Sequence, residues 1–207
     1  MRRRALFLDR DGVINEDRGY VHAVEEFHWQ DGIFEFVGAA RRHGYLPVVV
    51  TNQSGIARGL YGEEDYAALT RWMCARFEAA GAAIERVYHC PFLPDAVRPE
   101  YRANHSWRKP EPGMLLAAAE QLNLDLGGSL MVGDRWSDVA AAAAASLKTI
   151  VIVGERSHET APPALPSSVR LVRCASMGAV RDWFTDFAKL EGVISPHSKK
   201  MNSWSPP

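Results

Sequence analysis

The stretch ALFLDRDGVIN, residues 5–15, decides how this sequence is interpreted. Its first four residues form a short, uninterrupted apolar run, which is typical of a parallel strand buried on both faces. Two acidic residues, Asp9 and Asp11, follow that run. Polar residues at the end of such a strand lie at the carboxyl edge of the sheet, where open α/β sheets bind ligands. The stretch therefore predicts a strand that carries two carboxylates into a binding site.

Similar apolar runs recur along the chain, and each precedes a turn and a segment of helical period. This alternation predicts an α/β fold, a three-layer α/β/α sandwich around a mostly parallel, Rossmann-like sheet. Further strands are predicted at residues 46–50, 84–89, 130–132 and 149–153, with a weaker one at 169–172. Helices are predicted at residues 33–43, 63–80, 113–123 and 176–190.

Length and charge narrow the class of protein. A chain of 207 residues can bury a sufficient core, so we expect one domain over residues 1–194 and a flexible Ser/Pro/Lys-rich tail over 195–207. Its 24 basic and 25 acidic residues lack the basic excess that nucleic-acid binding needs. We find no export signal or run long enough to span a membrane. We therefore expect a cytoplasmic monomer whose partner is a small molecule, with no nucleic-acid or membrane partner.

Two more polar clusters begin where predicted strands stop, TNQSG at residues 51–55 and GDRWSD at residues 133–138. Asp134 and Asp138 in the second cluster offer the hard oxygen ligands that Mg²⁺ prefers. At the same edge of the sheet, the closely spaced Asp9 and Asp11 would repel each other unless a cation or a shared proton lay between them. These carboxylates together favour a site for a divalent cation.

A phosphate site is predicted beside these carboxylates. Thr51 and the backbone N–H groups of Asn52 and Gln53 supply donors where a strand ends in a turn. Lys109 adds a point cation before a proline. Each feature alone has an ordinary structural interpretation, because Asp and Thr often cap helices or form turns and a lone Lys is usually solvated. Their joint occurrence, in order and each at a strand end or turn, favours the functional interpretation.

The ordered set of Asp9, Asp11, Thr51, Lys109 and Asp134 resembles the motifs of the haloacid dehalogenase-like phosphatase superfamily. Within it, five strings are similar to the D-glycero-D-manno-heptose-1,7-bisphosphate 7-phosphatase and histidinol-phosphatase family: FLDRDGVIN, GYV, VVVTNQSGIARG, RKPEPGM and MVGDRWSD. The resemblance covers about residues 6–153. It implies a phosphatase that works through an aspartyl-phosphate, with Asp9 as nucleophile and Asp11 as general acid/base. Thr51 and Lys109 would then hold the phosphate.

The same resemblance implies Mg²⁺ as cofactor, held by Asp9, Asp134 and the main-chain carbonyl of residue 11. We assign Asp138 to orienting Lys109 or a metal-bound water. The implied substrate is D-glycero-D-manno-heptose 1,7-bisphosphate, cleaved at C7, and the alternative is histidinol phosphate or another small sugar phosphate.

Substrate recognition is expected to come from loops. The 39 residues between Asp11 and Thr51 include a predicted helix and leave no room for a large cap domain, so the fold should be capless. Arg58 and Arg108 are candidates for gripping a second anionic group, because a guanidinium suits bidentate phosphate contacts, although either could be a surface ion-pair residue. A sugar-phosphate mutase would want a substantial cap, and a catalytically dead binding module would be expected to lack a motif residue.

The loop at residues 90–107 departs from the family pattern. Many members bind zinc there through Cys-x-His and Cys-x-Cys, whereas the matching positions here are Cys90, Phe92, His105 and Trp107. Structural zinc sites normally have four N or S ligands. Zinc is therefore not expected, and packing of Phe92 and Trp107 should hold the loop.

Overall fold

A computed structural model describes residues 2–154, 164–190 and 192 of the chain. In these residues six strands form one sheet in which all neighbours are parallel, in the order β3-β2-β1-β4-β5-β6. The strands are β1 (Arg4–Leu8), β2 (Tyr45–Asn52), β3 (Arg86–Cys90), β4 (Leu130–Gly133), β5 (Thr149–Val153) and β6 (Arg170–Cys174). The predicted parallel sheet is confirmed, including its weaker sixth strand.

The described part of the chain contains six α-helices and two single 3₁₀ turns, at Val24–Glu26 and Pro99–Tyr101. The helices are α1 (Ile33–Arg42), α2 (Ser54–Ala57), α3 (Glu63–Ala79), α4 (Gly113–Leu122), α5 (Trp136–Ala144) and α6 (Met177–Leu190). The sequence interpretation did not assign α2 or α5. The four residues of α2 are too few to show a helical period, and the alanine-rich α5 lacks the polar face that would reveal one.

The sheet separates two apolar cores. Along β1, Leu6 and Leu8 face the core that contains Phe36 of α1 and Phe184 of α6, because successive side chains of a strand point to opposite faces. Ala5 and Phe7 of the same strand face the other core, which contains residues of α4 and α5. The predicted three-layer α/β/α sandwich is confirmed by this arrangement.

The strand order positions the functional site. Strand β1 lies between β2 and β4, and the chain leaves it in one direction to β2 and later returns on its other side to β4. The crevice at such a reversal of strand order is where open α/β sheets bind ligands. Between β1 and α1, residues 9–32 contain one 3₁₀ turn and otherwise loop, which agrees with the absence of a large cap from this part of the chain.

The sequence analysis also made predictions about the C-terminal tail and about membrane-spanning segments. The predicted flexible tail, residues 195–207, lies outside the described residues. Among the helices that the structure describes, none combines the length and the apolar character needed to cross a bilayer.

Candidate active site

The three polar clusters meet at the carboxyl ends of neighbouring strands. Asp9 follows β1, Thr51 lies near the end of β2, and Asp134 follows β4. A cavity of about 640 Å³ opens there, and predicted site residues line it: Asp9, Asp11, Asn52, Arg108 and Lys109. Thr51 and Asp134 are buried beside it.

A buried lysine joins two of the carboxylates. The ammonium of Lys109 lies 2.9 Å from Oδ2 of Asp9 and 2.5 Å from Oδ1 of Asp138, and it donates to the carbonyl oxygen of Val50 at 2.9 Å. Burial alone would lower the pKa of Lys109, but Asp138 and Asp9 outweigh it and raise that pKa to about 12. Lys109 is therefore a fixed positive charge at the bottom of the cavity.

Three carboxylates lie around this one lysine, and their negative charge suits a divalent cation. Asp9, Asp134 and Asp138 are all buried, and each has an oxygen within 4.8 Å of the others'. Burial raises the pKa of Asp9 to about 7, against the lowering effect of Lys109, and burial together with Asp9 and Asp138 raises the pKa of Asp134 to about 8. Asp138 is completely buried and gives one oxygen to Lys109 and the other to the N–H of Arg135. Asp9 and Asp134 keep a small exposed fraction, 7% and 5%, so they are the side chains that fit a hard cation such as Mg²⁺.

Gly12 allows the side chain of Asp134 to pack against the loop that follows β1. Its φ of 88° is in the left-handed region, and a Cβ at this position would collide with the carboxylate of Asp134. Only glycine satisfies both conditions.

Asn52 and Asp138 both orient Lys109. The Asn52 amide donates to the carbonyl oxygen of Lys109 and accepts from its N–H, each at 3.0 Å, and thereby fixes the loop that carries this lysine. Asp138 holds the ammonium with one oxygen and accepts the N–H of Arg135 with the other, so it also caps α5. The functional and the structural interpretations of Asp138 therefore apply together.

Asp11 is held apart from the three-carboxylate cluster. The guanidinium of Arg10, itself 1% exposed, donates to both of its oxygens at 2.9–3.3 Å. Asn15 donates to Oδ1 at 3.0 Å and Gln53 to Oδ2 at 3.1 Å. The carboxylate of Asp11 is therefore not among the candidate metal ligands. The family resemblance implies the main-chain carbonyl of Asp11 as a ligand instead, and that is compatible with this arrangement.

Sequence reasoning missed the side chains of Arg10, Asn15 and Gln53. Each lies inside a string that had been singled out for its neighbours, but which atoms they contact depends on how the loops fold over the strand ends. Asp17 was also missed, and its carboxylate pairs with Arg135 at 2.7 Å on the cavity wall.

The two candidate arginines lie in different places. Arg108 is half-buried, lines the cavity and donates to the carbonyl oxygen of Phe92 at 3.2 Å. Arg58 is exposed at the end of α2 and is not part of the cavity wall. The structure brings Arg108 to the site and does not bring Arg58 there.

Aromatic packing holds the loop after β3. The rings of Phe92 and His105 stack at 4.4 Å with 7° between their planes, and Nδ1 of His105 accepts the N–H of Trp107 at 3.1 Å. His89 turns away from this loop, and its Nε2 lies 3.0 Å from a carboxylate oxygen of Glu63. The packing role expected for Phe92 and Trp107 is thus observed, and the expectation of no zinc stays a prediction.

Comparison with known proteins identifies the family. A family model described as HAD-hydrolase-like matches residues 106–169. The D-glycero-alpha-D-manno-heptose-1,7-bisphosphate 7-phosphatase of Burkholderia mallei (strain ATCC 23344) is 48% identical over 82% of this chain and 90% of its own length. This chain belongs to the haloacid dehalogenase-like heptose-bisphosphate phosphatase family.

Other family members agree with this assignment. The D-glycero-beta-D-manno-heptose-1,7-bisphosphate 7-phosphatase of Vibrio cholerae serotype O1 is 46% identical over 74% of this chain and 82% of its own length. The crystal structure of D,D-heptose 1,7-bisphosphate phosphatase from B. bronchiseptica, complexed with magnesium and phosphate, has a TM-score of 0.74 and 29% identity, covering 89% of this chain and 99% of that one. The relatives are named as phosphatases, so this member of the family is a phosphoric monoester hydrolase.

Proposed function

We propose that this chain hydrolyses the C7 phosphate of D-glycero-D-manno-heptose 1,7-bisphosphate through an aspartyl-phosphate on Asp9. The observation that carries the proposal is the position of the Asp9 carboxylate, which lines the cavity at the end of β1 with the ammonium of Lys109 2.9 Å away. A carboxylate repels a phosphate monoester, so a fixed positive charge beside it is what this attack requires. The names of the related enzymes supply the substrate.

The reaction divides into two displacements at phosphorus. An oxygen of Asp9 attacks the C7 phosphorus while the bond to the sugar oxygen breaks, and Asp11 gives that oxygen its proton. Water then attacks the phosphorus of the aspartyl-phosphate, Asp11 takes a proton back, and inorganic phosphate leaves with the Asp9 carboxylate restored. Lys109 neutralises charge on the transferring group in both displacements, and Asp138 and Asn52 keep it in place.

We also propose Mg²⁺ as the cofactor, held by Asp9, Asp134 and the main-chain carbonyl of Asp11. The support is the buried cluster of carboxylates, whose charge Lys109 and the Arg135 guanidinium, 3.9 Å from Asp134, compensate only in part. The magnesium in the related B. bronchiseptica structure adds to it. When bound, the ion would neutralise phosphate charge and favour the ionised form of Asp9.

The experiment is phosphate release from a panel of substrates with Mg²⁺ or with EDTA. The panel contains both anomers of the heptose bisphosphate, because the B. mallei and V. cholerae relatives are named for different anomers. It also contains histidinol phosphate and an aryl phosphate. We expect the highest kcat/KM on one heptose anomer, loss of the C7 signal in ³¹P NMR, and no turnover in EDTA. A preference for histidinol phosphate, or release from C1, would contradict the proposed substrate.

The distal phosphate is proposed to contact Arg108, which lines the cavity. An open, capless cleft encloses its substrate little, so a charge-assisted contact from a loop should carry much of the specificity. Arg108→Ala should therefore lower kcat/KM for the bisphosphate by at least about tenfold and for an aryl phosphate much less.

Arg58→Ala is the matched control for this prediction, because Arg58 is exposed and lies outside the cavity wall. It should leave kcat/KM on both substrates near the wild-type value. Equal losses on both substrates in Arg108→Ala would assign Arg108 to the reacting phosphate or to the fold, and a selective loss in Arg58→Ala would restore the sequence prediction for that residue.

A further inference from the structure

We propose that Tyr61 is a positioning residue that orients the acid/base Asp11 through the side-chain amide of Gln53. The inference rests on the proposed function, in which Asp11 moves the proton of the leaving sugar oxygen. Tyr61 lies on the loop between α2 and α3, and no motif of the sequence pointed to it.

The hydrogen bonds form a continuous chain. The hydroxyl of Tyr61 donates to Oε1 of Gln53 at 2.7 Å. The NH₂ group of the same amide donates to Oδ2 of Asp11 at 3.1 Å and to Oγ1 of Thr51 at 2.9 Å. One amide therefore links the general acid/base to Thr51 near the end of β2, and the tyrosine holds the far side of that amide.

The orientation of the Gln53 amide matters because its NH₂ group donates hydrogen bonds whereas its carbonyl oxygen accepts them. Rotated by half a turn, Gln53 would present its carbonyl oxygen to the Asp11 carboxylate, which accepts hydrogen bonds and cannot donate one when ionised. A hydroxyl donor on Oε1 adds to the preference for the observed orientation. Tyr61 and Gln53 also line the cavity, but the Tyr61 hydroxyl donates to Gln53, so the expected consequence of losing it is a less well-placed Asp11.

The surroundings of Tyr61 fix the hydroxyl. The side chain is 5% exposed, and its ring lies directly over Gly55, where a Cβ would collide with the ring carbons. His22 from the first loop stacks on the ring at 5.1 Å with 4° between the planes. Burial raises the pKa of Tyr61 well above its ordinary value, so the hydroxyl keeps the proton that it donates.

The test is a double-mutant cycle between Tyr61→Phe and Gln53→Ala, measured as kcat/KM on heptose 1,7-bisphosphate and on 4-nitrophenyl phosphate. Nitrophenolate is a far better leaving group than a sugar alkoxide and needs less help from a general acid. We expect Tyr61→Phe to lower kcat/KM on the sugar phosphate by about threefold to tenfold, the range of one buried hydrogen bond, and to change the nitrophenyl value less. In the Gln53→Ala background the same change should add no further loss.

Tyr66→Phe is the matched control. Tyr66 belongs to the same small apolar cluster as Tyr61, is also buried, and packs its ring against His89 at 4.1 Å. It should leave both kcat/KM values unchanged. Tyr61→Phe also removes a buried hydrogen bond and should lower the melting temperature more than Tyr66→Phe does, so each variant is assayed well below its own melting temperature and a difference in activity does not come from unfolded protein.

The outcomes separate this inference from the function on which it rests. Equal losses on the two substrates, or full additivity of Tyr61→Phe with Gln53→Ala, would overturn the role of Tyr61 while leaving the phosphatase mechanism intact. An Asp11→Asn variant with near wild-type kcat/KM on the sugar phosphate would instead overturn the acid/base assignment itself, and with it the inference.

Discussion

Lys109 carries the positive charge at the centre of the site. Its ammonium lies between the carboxylates of Asp9 and Asp138, and the Lys109 and Asp138 side chains are 2% and 0% exposed. Ion pairs this deeply buried contribute little net stability, because burial removes both charges from water. Removing one partner is different, since the other charges stay buried without compensation.

Lys109→Met should therefore reduce both stability and activity. We expect the free energy of unfolding to fall by roughly 3–5 kcal/mol, the range for breaking a buried ion pair, and kcat to fall at least about a hundredfold. Urea unfolding and phosphate release measure the two effects. The exposed Lys148→Met is the control, and adding Asp138→Asn to Lys109→Met should recover part of the stability. A loss below about 1 kcal/mol would show that the carboxylates are compensated by another group.

The pKa values of Asp9 and Asp134 predict a pH-dependent response to Mg²⁺. Both are raised by burial from 3.8, to about 7 and about 8. The metal-free folded protein therefore binds more protons at these residues than the unfolded chain does. Their contribution to stability is fully present below about pH 4 and is lost as the pH rises through about 7 to 8. A cation must displace the same protons, so it stabilises the protein more at high pH.

Thermal unfolding with and without Mg²⁺ measures this response. The increase in melting temperature should be larger at about pH 8.5 than at about pH 6, and Asp134→Asn should flatten the difference. A Mg²⁺ effect that is equal at both pH values, or larger at pH 6, would be inconsistent with these pKa shifts.

At the scale of elements, contacts between rings hold the loop after β3. Phe92 stacks on His105, Trp107 meets the ring of Tyr88 edge-on at 5.8 Å, and the Arg108 guanidinium donates to a loop carbonyl. Phe92, His105 and Trp107 lie at three of the four positions where the family resemblance would place zinc ligands. The contacts of these rings and of Arg108 connect the loop to the core and to the cavity wall.

We expect purified protein to contain no stoichiometric zinc. Elemental analysis should find well below one zinc per chain, and a chelator of zinc should not change the melting temperature in the absence of Mg²⁺. About one zinc per chain in the wild type, lost in Cys90→Ser, would show that the loop does hold the metal.

Elements differ in how far their sequence predicts them. Strand β1 and its polar end were predictable because a buried parallel strand is an apolar run and its edge is where polar residues begin. The stacking of Phe92 on His105 was not predictable, because the two residues lie on either side of a 3₁₀ turn and meet only when the loop folds back. The contact of Tyr61 with Gln53 likewise depends on how a loop closes over α2.

On the scale of the whole molecule, the sheet order turns separate motifs into one site. The ends of β2, β1 and β4 are neighbours, so Thr51, Asp9 and Asp134 meet although 124 residues lie between Asp9 and Asp134 along the chain. That these clusters lie at one edge could be predicted, because parallel strands share one carboxyl edge, whereas the strand order was not predicted. The direction of individual side chains could not be predicted from the sequence. Arg58 is an example, because neighbouring residues of its loop line the cavity while Arg58 itself is exposed outside it.

The central claim is that Asp9 is the nucleophile, and trapping the covalent intermediate tests it most directly. Acid quenching during turnover of heptose 1,7-bisphosphate, followed by peptide mass spectrometry, should find one phosphoryl group on Asp9. The Asp9→Asn variant should carry none and should release phosphate at less than a few per cent of the wild-type rate, with its melting temperature retained. A phosphoryl group on another side chain, or an Asp9→Asn variant that keeps most of its activity, would contradict the account.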